Sequence, residues 1–260
     1  MKNISHRALP DFPQRVVSLV PSQTELLYYW GLGHRVVGLT KFCIHPKEAK
    51  KEATVIGGTK NFHLARIRAL QPDLIIGNKE ENYEEGILAL AKEFPLLMSD
   101  IYNLEDSLEM FRVLGGVLSV EEKAQTLIAQ LLNLRSNYQT LKTTLGTLRV
   151  AYLIWHEPLM VAAKNTFIDC MLEEAGFKNV FSDLIRYPML KITDLVATKP
   201  DVVMLSSEPF PFKAHHIDYY QKQLPQSKII KVDGELFSWY GNRLLYSYPY
   251  FAALSERFAK

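Results

Sequence analysis

Residues 66–76 read RIRALQPDLII, and residues 194–204 read DLVATKPDVVM. Both stretches give the end of a helix, a Pro-Asp turn and a run of apolar residues. Proline cannot continue a helix and aspartate favours turns, so each stretch is punctuated at the same place. The run that follows has no polar alternation, which is the pattern of a parallel strand buried on both faces. Two copies of one helix–turn–strand unit predict two similar halves.

Working outward from the first copy, strands are expected over 15–20, 36–40, 74–77 and 96–99. They alternate with a helix opening at Pro21 and with helices over 64–70, 83–92 and 104–114. Around the second copy, strands are expected over 149–155, 159–163, 202–205 and 228–232. Helices are expected over 166–175, 191–198 and 215–224, with a closing helix over 242–258 that Pro249 interrupts. Strand–helix alternation of this kind makes parallel sheets covered by helices. Ser22 with Glu25, and Ser119 with Glu122, have the spacing of capping boxes.

Between the halves, Ala124, Leu127, Ile128, Leu131, Leu134, Tyr138, Leu141 and Leu145 recur mostly at spacings of three and four before Gly146. That periodicity predicts a single helix over 120–145, about 39 Å long at ~1.5 Å per residue. The expected fold is therefore α/β, with two Rossmann-like α/β lobes joined by one long rigid helix and a ligand cleft between the lobes. Its divisions are residues 1–118, a linking helix over 119–147, and residues 148–260.

Composition narrows the function. Of 260 residues, 48% are hydrophobic and 22% charged, values of an ordinary folded chain. Lys+Arg outnumber Asp+Glu by only 30 to 28, so there is no clustered excess of basic charge for nucleic acid. No apolar run approaches the ~18 residues of a membrane span. The opening MKNISHRALPDFPQRVVSLV is interrupted by Ser5, His6, Arg7, Pro10, Asp11, Pro13 and Gln14, unlike the apolar core of a secretory signal. The expectation from this is a cytoplasmic protein, or a periplasmic one if the N-terminus is incomplete.

Catalytic signatures are missing. There is no phosphate loop, no nucleophile elbow and no zinc-type histidine or cysteine spacing, and Gly31 and Gly33 stop a helix instead of opening one. Cys43 and His45 are two residues apart, a weak pattern for a soft metal. Adjacent His215 and His216 are read as the exposed start of a helix, and the His156-Glu157 pair as structural or ligand-facing. Chemistry at Cys43, His45 or His156 is the enzyme alternative to a binding role.

The aromatic residues are more informative. Trp155, Tyr187, Phe210, Phe212, Phe237, Trp239 and Tyr240 fall at expected strand ends and in loops. Polar neighbours accompany them: Asn78 to Glu81, Arg186, Glu208, Glu235, Asn242 and Arg243. Large aromatics with a few polar groups suit a flat organic or metal-chelate ligand.

RVVSLVPSQTELL at 15–27, GLGHRVVGLTKFCIHP at 31–46 and LARIRALQPDLII at 64–76 resemble the class III periplasmic binding proteins of ABC importers. This is the helical backbone metal receptor group, and the cobalamin-binding branch is the nearest in flavour. The resemblance covers essentially the whole chain. It implies a non-catalytic solute-binding protein, a monomer without an intrinsic cofactor, which holds cobalamin, haem or a ferric siderophore. It places Phe42, Trp155, Arg186, Tyr187 and Glu235 at pocket positions, and Trp239 near a pocket arginine. Thr59 or Lys60, and Asn78, stand where two pocket aromatics are expected. With the neighbouring residues, the expected ligand contacts are Lys41, Phe42, Asn78, Lys79, Trp155, Arg186, Tyr187, Glu208, Glu235, Trp239, Tyr240 and Arg243. The resemblance also implies a permease partner docked through one carboxylate on each lobe. Asp194 matches one of these, while Ala65 occupies the other position. That departure gives the alternative of a cytoplasmic carrier or sensor of a corrinoid or metal complex.

Overall fold

The computed structural model describes residues 1–5, 7–142 and 148–258. The chain divides into two units. The first holds residues 1–101, 105–131 and 240–243, and the second holds 102–104, 132–239 and 244–260.

The first unit is built on strands β1 (Lys2–Asn3), β2 (Val16–Ser18), β3 (Val36–Leu39), β4 (Thr54–Val55), β5 (Leu74–Asn78) and β6 (Leu96–Ser99). Between them run helices α1 (Pro21–Tyr29), α2 (Ala49–Glu52), α3 (Leu64–Ala69) and α4 (Glu84–Ala91). The sheet order is β1-β6-β5-β2-β3-β4, parallel except for β1. Every residue of β2 and β5 is buried, as their unbroken apolar runs require. Val17, Leu19, Ile56, Ile67, Ile75, Leu90 and Leu96 form the core between sheet and helices. Helix α5 (Leu104–Val117) follows β6 and leads to α6 (Glu121–Lys142).

The second unit contains strands β7 (Arg149–Trp155), β8 (Leu159–Val161), β9 (Lys178–Asn179), β10 (Met189–Leu190), β11 (Val202–Ser206) and β12 (Lys228–Val232). Its helices are α7 (Phe167–Glu174), α8 (Ile192–Thr198), α9 (Ala214–Gln223), α10 (Glu235–Ser238) and α11 (Leu244–Glu256). The sheet order is β10-β8-β7-β11-β12, with β9 beside the start of β7. Strands β7, β11 and β12 run parallel.

The two Pro-Asp turns do the same work in their units. Asp73 accepts from the backbone N–H groups of Gln14 and Arg15, both at 2.8 Å, and the Arg15 guanidinium donates to the Leu70 and Gln71 carbonyls at the end of α3. Asp201 accepts from the Arg149 N–H at 2.7 Å, and the Arg149 guanidinium donates to the Thr198 and Lys199 carbonyls at the end of α8. Gln71 and Lys199, which close those helices, both adopt left-handed backbone (φ 46° and 45°). Each turn thus locks a helix end to the start of the neighbouring strand.

Helix α6 spans 22 residues, ~33 Å at 1.5 Å per residue. The last turn expected for it, with residues 143–147 of the linking segment, lies outside the described residues. In the first unit Lys123 donates to the Trp30 carbonyl. In the second unit Arg135 grips Glu174 with two bonds of 2.9 and 2.6 Å, and Tyr138 donates to the Ala175 carbonyl.

Neither expected capping box forms. Pro21 occupies the first turn of α1, where its missing N–H costs nothing, and Val20 precedes it without a side-chain cap. Ser119 takes a left-handed conformation (φ 57°) in the turn before α6. Pro249 lies inside α11 and does not end it.

Candidate functional site

Doubly wound sheets bind ligands outside the carboxyl ends of their strands, where the strand order reverses. In the first unit this reversal falls between β2 and β5. Asn82 bridges it: its amide nitrogen donates to the Leu19 and Thr59 carbonyls (3.1 and 3.2 Å), and its oxygen accepts from the Asn78 N–H. Asn78 is 1% exposed. Its amide donates to Ser99 Oγ at 3.0 Å, and its oxygen accepts from the Glu80 and Glu81 N–H groups. Asn78 was expected to contact a ligand; here both ends of its amide hydrogen-bond within the protein and shape the loop after β5. Gln23 donates to the same Ser99 hydroxyl at 2.6 Å.

Cys43 is buried against the Thr24 and Thr40 hydroxyls, with Sγ at 3.1 and 3.3 Å. Burial pushes its thiol up, despite these hydrogen bonds. The thiol is thus held away from the thiolate form that metals bind. Among the described residues no three histidine, cysteine or acidic side chains gather as they would around a bare metal ion, so the Cys43–His45 pairing gains no further ligand.

The segment 240–243 belongs to this unit. Tyr240 is 6% exposed and donates to Glu81 at 2.6 Å; burial and the nearby Glu81 charge hold its phenol well above its ordinary pKa, so it stays a neutral donor. Arg243 holds Glu25 through two bonds of 2.9 and 2.7 Å. A Cβ on Gly241 would lie 2.5 Å from the Ser22 carbonyl, so this backbone seats directly on α1. Tyr240 and Arg243, both expected as ligand contacts, anchor this segment through these bonds. The groups that do face outward are Lys41, Phe42 and Lys79. Phe42 is 50% exposed with the Lys41 ammonium 5.0 Å from its ring centre, and Lys79 pairs with Asp100 at 3.2 Å.

In the second unit, Trp155 ends β7 half-buried. Its indole donates to the Glu157 carbonyl, and its ring centre lies 5.4 Å from that of Phe210. His156 follows, with Nδ1 2.9 Å from the Tyr220 hydroxyl. His216 packs edge-on against it at 4.7 Å. His216 is 6% exposed, which corrects the expectation of an exposed histidine pair; His215 alone is on the surface. Burial, with His215 and His156 nearby, keeps His216 below its usual pKa. His216, Tyr219 and Tyr220 were missed in the sequence. The four-residue spacing of His216 and Tyr220 on one helix face was the available signal.

Glu208 accepts from Ser238 Oγ at 2.7 Å and Trp239 Nε1 at 2.9 Å, and burial raises its carboxyl above the ordinary range. Trp239 is 7% exposed, and Phe212 and Phe237 are fully packed in the interior, so these three are support rather than open faces. Arg186 has left-handed backbone (φ 63°), donates to the Asn165 carbonyl and lies 5.4 and 5.8 Å from the rings of Tyr102 and Tyr187. Glu235 is half-buried at the start of α10. Asp194 is exposed, and its carboxylate accepts from the Lys191 N–H at the start of α8; Ala65 is exposed on α3.

The comparisons agree with this architecture. The family described as "Periplasmic binding protein" matches residues 16–227. The vitamin B12-binding protein of Pectobacterium atrosepticum is 28% identical over 242 residues, spanning 90% of this chain and 85% of that protein. Among solved structures, the periplasmic vitamin B12-binding protein of Vibrio cholerae superposes with a TM-score of 0.82 at 21% identity, covering 96% of this chain and 100% of that one. The periplasmic haem-binding protein RhuT of Roseiflexus, in its apo form, superposes with a TM-score of 0.81 at 23% identity, covering 94% and 98%. At such identities the two structures speak for the fold alone. The length of the family match decides membership: this chain is a periplasmic binding protein of that family, a binding protein and not an enzyme.

Proposed function

We propose that the protein is the solute-binding component of an ABC-type importer, and that its ligand is a metal chelate with a broad apolar face, in the range of cobalamin, haem and ferric siderophores. The carrying observation is the set of aromatic faces left open at the carboxyl ends of the sheets: Phe42 in the first unit, and Trp155 with Phe210 in the second. Lys41, Lys79, Arg186, Tyr187 and Glu235 supply polar and aromatic contacts around them. Asn78, Glu208, Trp239, Tyr240 and Arg243 hold those loops in place. The vitamin B12-binding relative supports this ligand class. The exposed Asp194 supports a permease partner, and the first unit offers Ala65, Arg66 and Arg68 on α3, a face without a carboxylate at the matching position.

Titration of the purified protein with aquocobalamin, hemin and a ferric hydroxamate, followed by tryptophan fluorescence and thermal melting, tests the reading. Saturable quenching with a rise in melting temperature for one of them is expected, since a ligand that binds only the folded state stabilises it by mass action. No response to any of the three would refute it. Release of the native protein by osmotic shock of its host is the expected result for an importer component; retention with cytoplasmic markers would point to an intracellular carrier.

A further inference from the structure

We propose that His156 binds the metal of the chelate directly, through Nε2 as an axial ligand. The inference rests on the proposed function and narrows its ligand to a chelate with an exchangeable axial position.

His156 stands just past the carboxyl end of β7, the end at which this kind of sheet takes ligands. Its Nδ1 is fixed 2.9 Å from the Tyr220 hydroxyl. A hydroxyl both donates and accepts, and at this distance the Tyr220 oxygen accepts the Nδ1–H in one of the two imidazole tautomers. That tautomer leaves the lone pair on Nε2. A ligating histidine is oriented in this way, its second nitrogen tied to a neighbouring oxygen. Among the described residues Nε2 has no hydrogen bond; its nearest charged neighbour is Glu157 Oε1 at 3.8 Å, on a side chain 88% exposed.

The surroundings fit a flat chelate. The ring of His156 is walled by Phe210 at 6.0 Å, Tyr219 at 5.2 Å and His216 at 4.7 Å, with Trp155 beside Phe210. His216 does not compete for the metal. It is buried, and its own Nδ1 accepts from the Lys213 N–H at 2.9 Å. The lack of a three-ligand cluster among the described residues excludes a cage for a bare ion. A single imidazole is enough when the chelate already supplies the other donors. In the binding step the Nε2 lone pair fills an axial position, the water or chloride held there leaves, and the oxidation state of the metal is unchanged.

Visible and electron paramagnetic resonance spectra of the wild-type protein with hemin and with aquocobalamin provide the test. A shift of the absorption bands on binding is expected, with a nitrogen hyperfine change for the hemin complex when the protein carries 15N-histidine; this readout needs no variant. His156→Ala and His156→Gln, checked for folding by circular dichroism, should lose the shift and bind at least tenfold more weakly. Added imidazole should restore the spectrum in the alanine variant. Tyr220→Phe should keep the shift at reduced affinity. Spectra unchanged in both His156 variants, or wild-type binding without any shift, overturns the proposal. Uptake of a ferric hydroxamate alone, whose own oxygens fill the iron sphere, overturns the axial bond while the binding-protein reading stands. No binding of any of the three overturns both.

Discussion

The amino ends of the two sheets are alike, and the carboxyl ends are not. At the amino ends, Arg15 with Asp73 and Arg149 with Asp201 repeat one clamp, down to the left-handed residue that closes each helix. At the carboxyl ends, the first unit is held by amides, hydroxyls and a buried ion pair: Asn78, Asn82, Gln23, Ser99, and Arg243 with Glu25. The second unit has rings in that place: Trp155, His156, Phe210, His216, Tyr219 and Tyr220. The clamp is what a helix–turn–strand unit needs to fold, so both copies keep it. The other end carries the function, and there the copies diverge.

The largest expected effect lies in the ion pair of the first unit. The Arg243 and Glu25 side chains are 14% and 13% exposed, so Arg243→Ala strands a buried carboxylate. A loss of about 3 kcal/mol in chemical denaturation is expected, the scale for breaking such a pair. Arg68 and Glu93, 44% and 38% exposed, are the control: Arg68→Ala should cost far less, because solvent screens an exposed pair. Equal losses would mean that segment 240–243 is held by its packing and not by its charge.

The clamps come next. Asp73→Ala and Asp201→Ala each remove charge-assisted hydrogen bonds to backbone N–H groups, and each should cost about 1–2 kcal/mol after discounting for partial exposure. Similar losses would sharpen the likeness of the amino ends. A loss confined to one unit would break it, and reduce the sequence echo to a common junction.

The sequence made the clamps legible and left the carboxyl ends obscure, for a physical reason. RIRALQPDLII and DLVATKPDVVM carry their structure locally, in proline, aspartate and an apolar run, so the strands at 96–99, 149–155 and 228–232 were readable to the residue. Two-residue strands such as Thr54–Val55 and Lys178–Asn179 are too short for a period. The partners of Glu81 and Glu25 lie more than a hundred residues away, at Tyr240 and Arg243, and no local spacing announces them. Loop position was the reason to expect Trp239 and Tyr240 at a ligand, and their burial is not legible from position in the sequence. Ser22 and Ser119 matched a capping pattern, yet Pro21 took the first-turn place in one case and a left-handed turn displaced the cap in the other.

Trp155 tests the ring-lined end. A half-buried indole against Phe210 contributes about 1–2 kcal/mol when it contacts a ligand, so Trp155→Ala should weaken binding of the responding chelate by roughly 5–30-fold at unchanged fold. Unchanged affinity would take Trp155 out of the site and leave the His156 side of the cluster to carry it.

Glu208 gives the smallest effect and separates a supporting carboxyl from a ligand contact. Burial, and after it the charges of Glu235 and Asp233, raise its pKa above the ordinary 4.5, against the pull of Ser238 and Trp239. In the folded state the proton is therefore kept to higher pH than in the unfolded chain. Below 4.5 both states are protonated and nothing is lost; as pH rises through 4.5 and then through the folded value, stability falls, and the loss is complete above the latter. Glu208→Gln keeps an oxygen that Ser238 or Trp239 can donate to and removes the buried charge. Its melting temperature should exceed that of the wild type at pH 7, and the difference should vanish at pH 4. A gain independent of pH would trace to packing. A loss at pH 7 would show that the ionised carboxylate, held by the Ser238 hydroxyl and the Trp239 indole, stabilises the loop after β11 more than its burial costs.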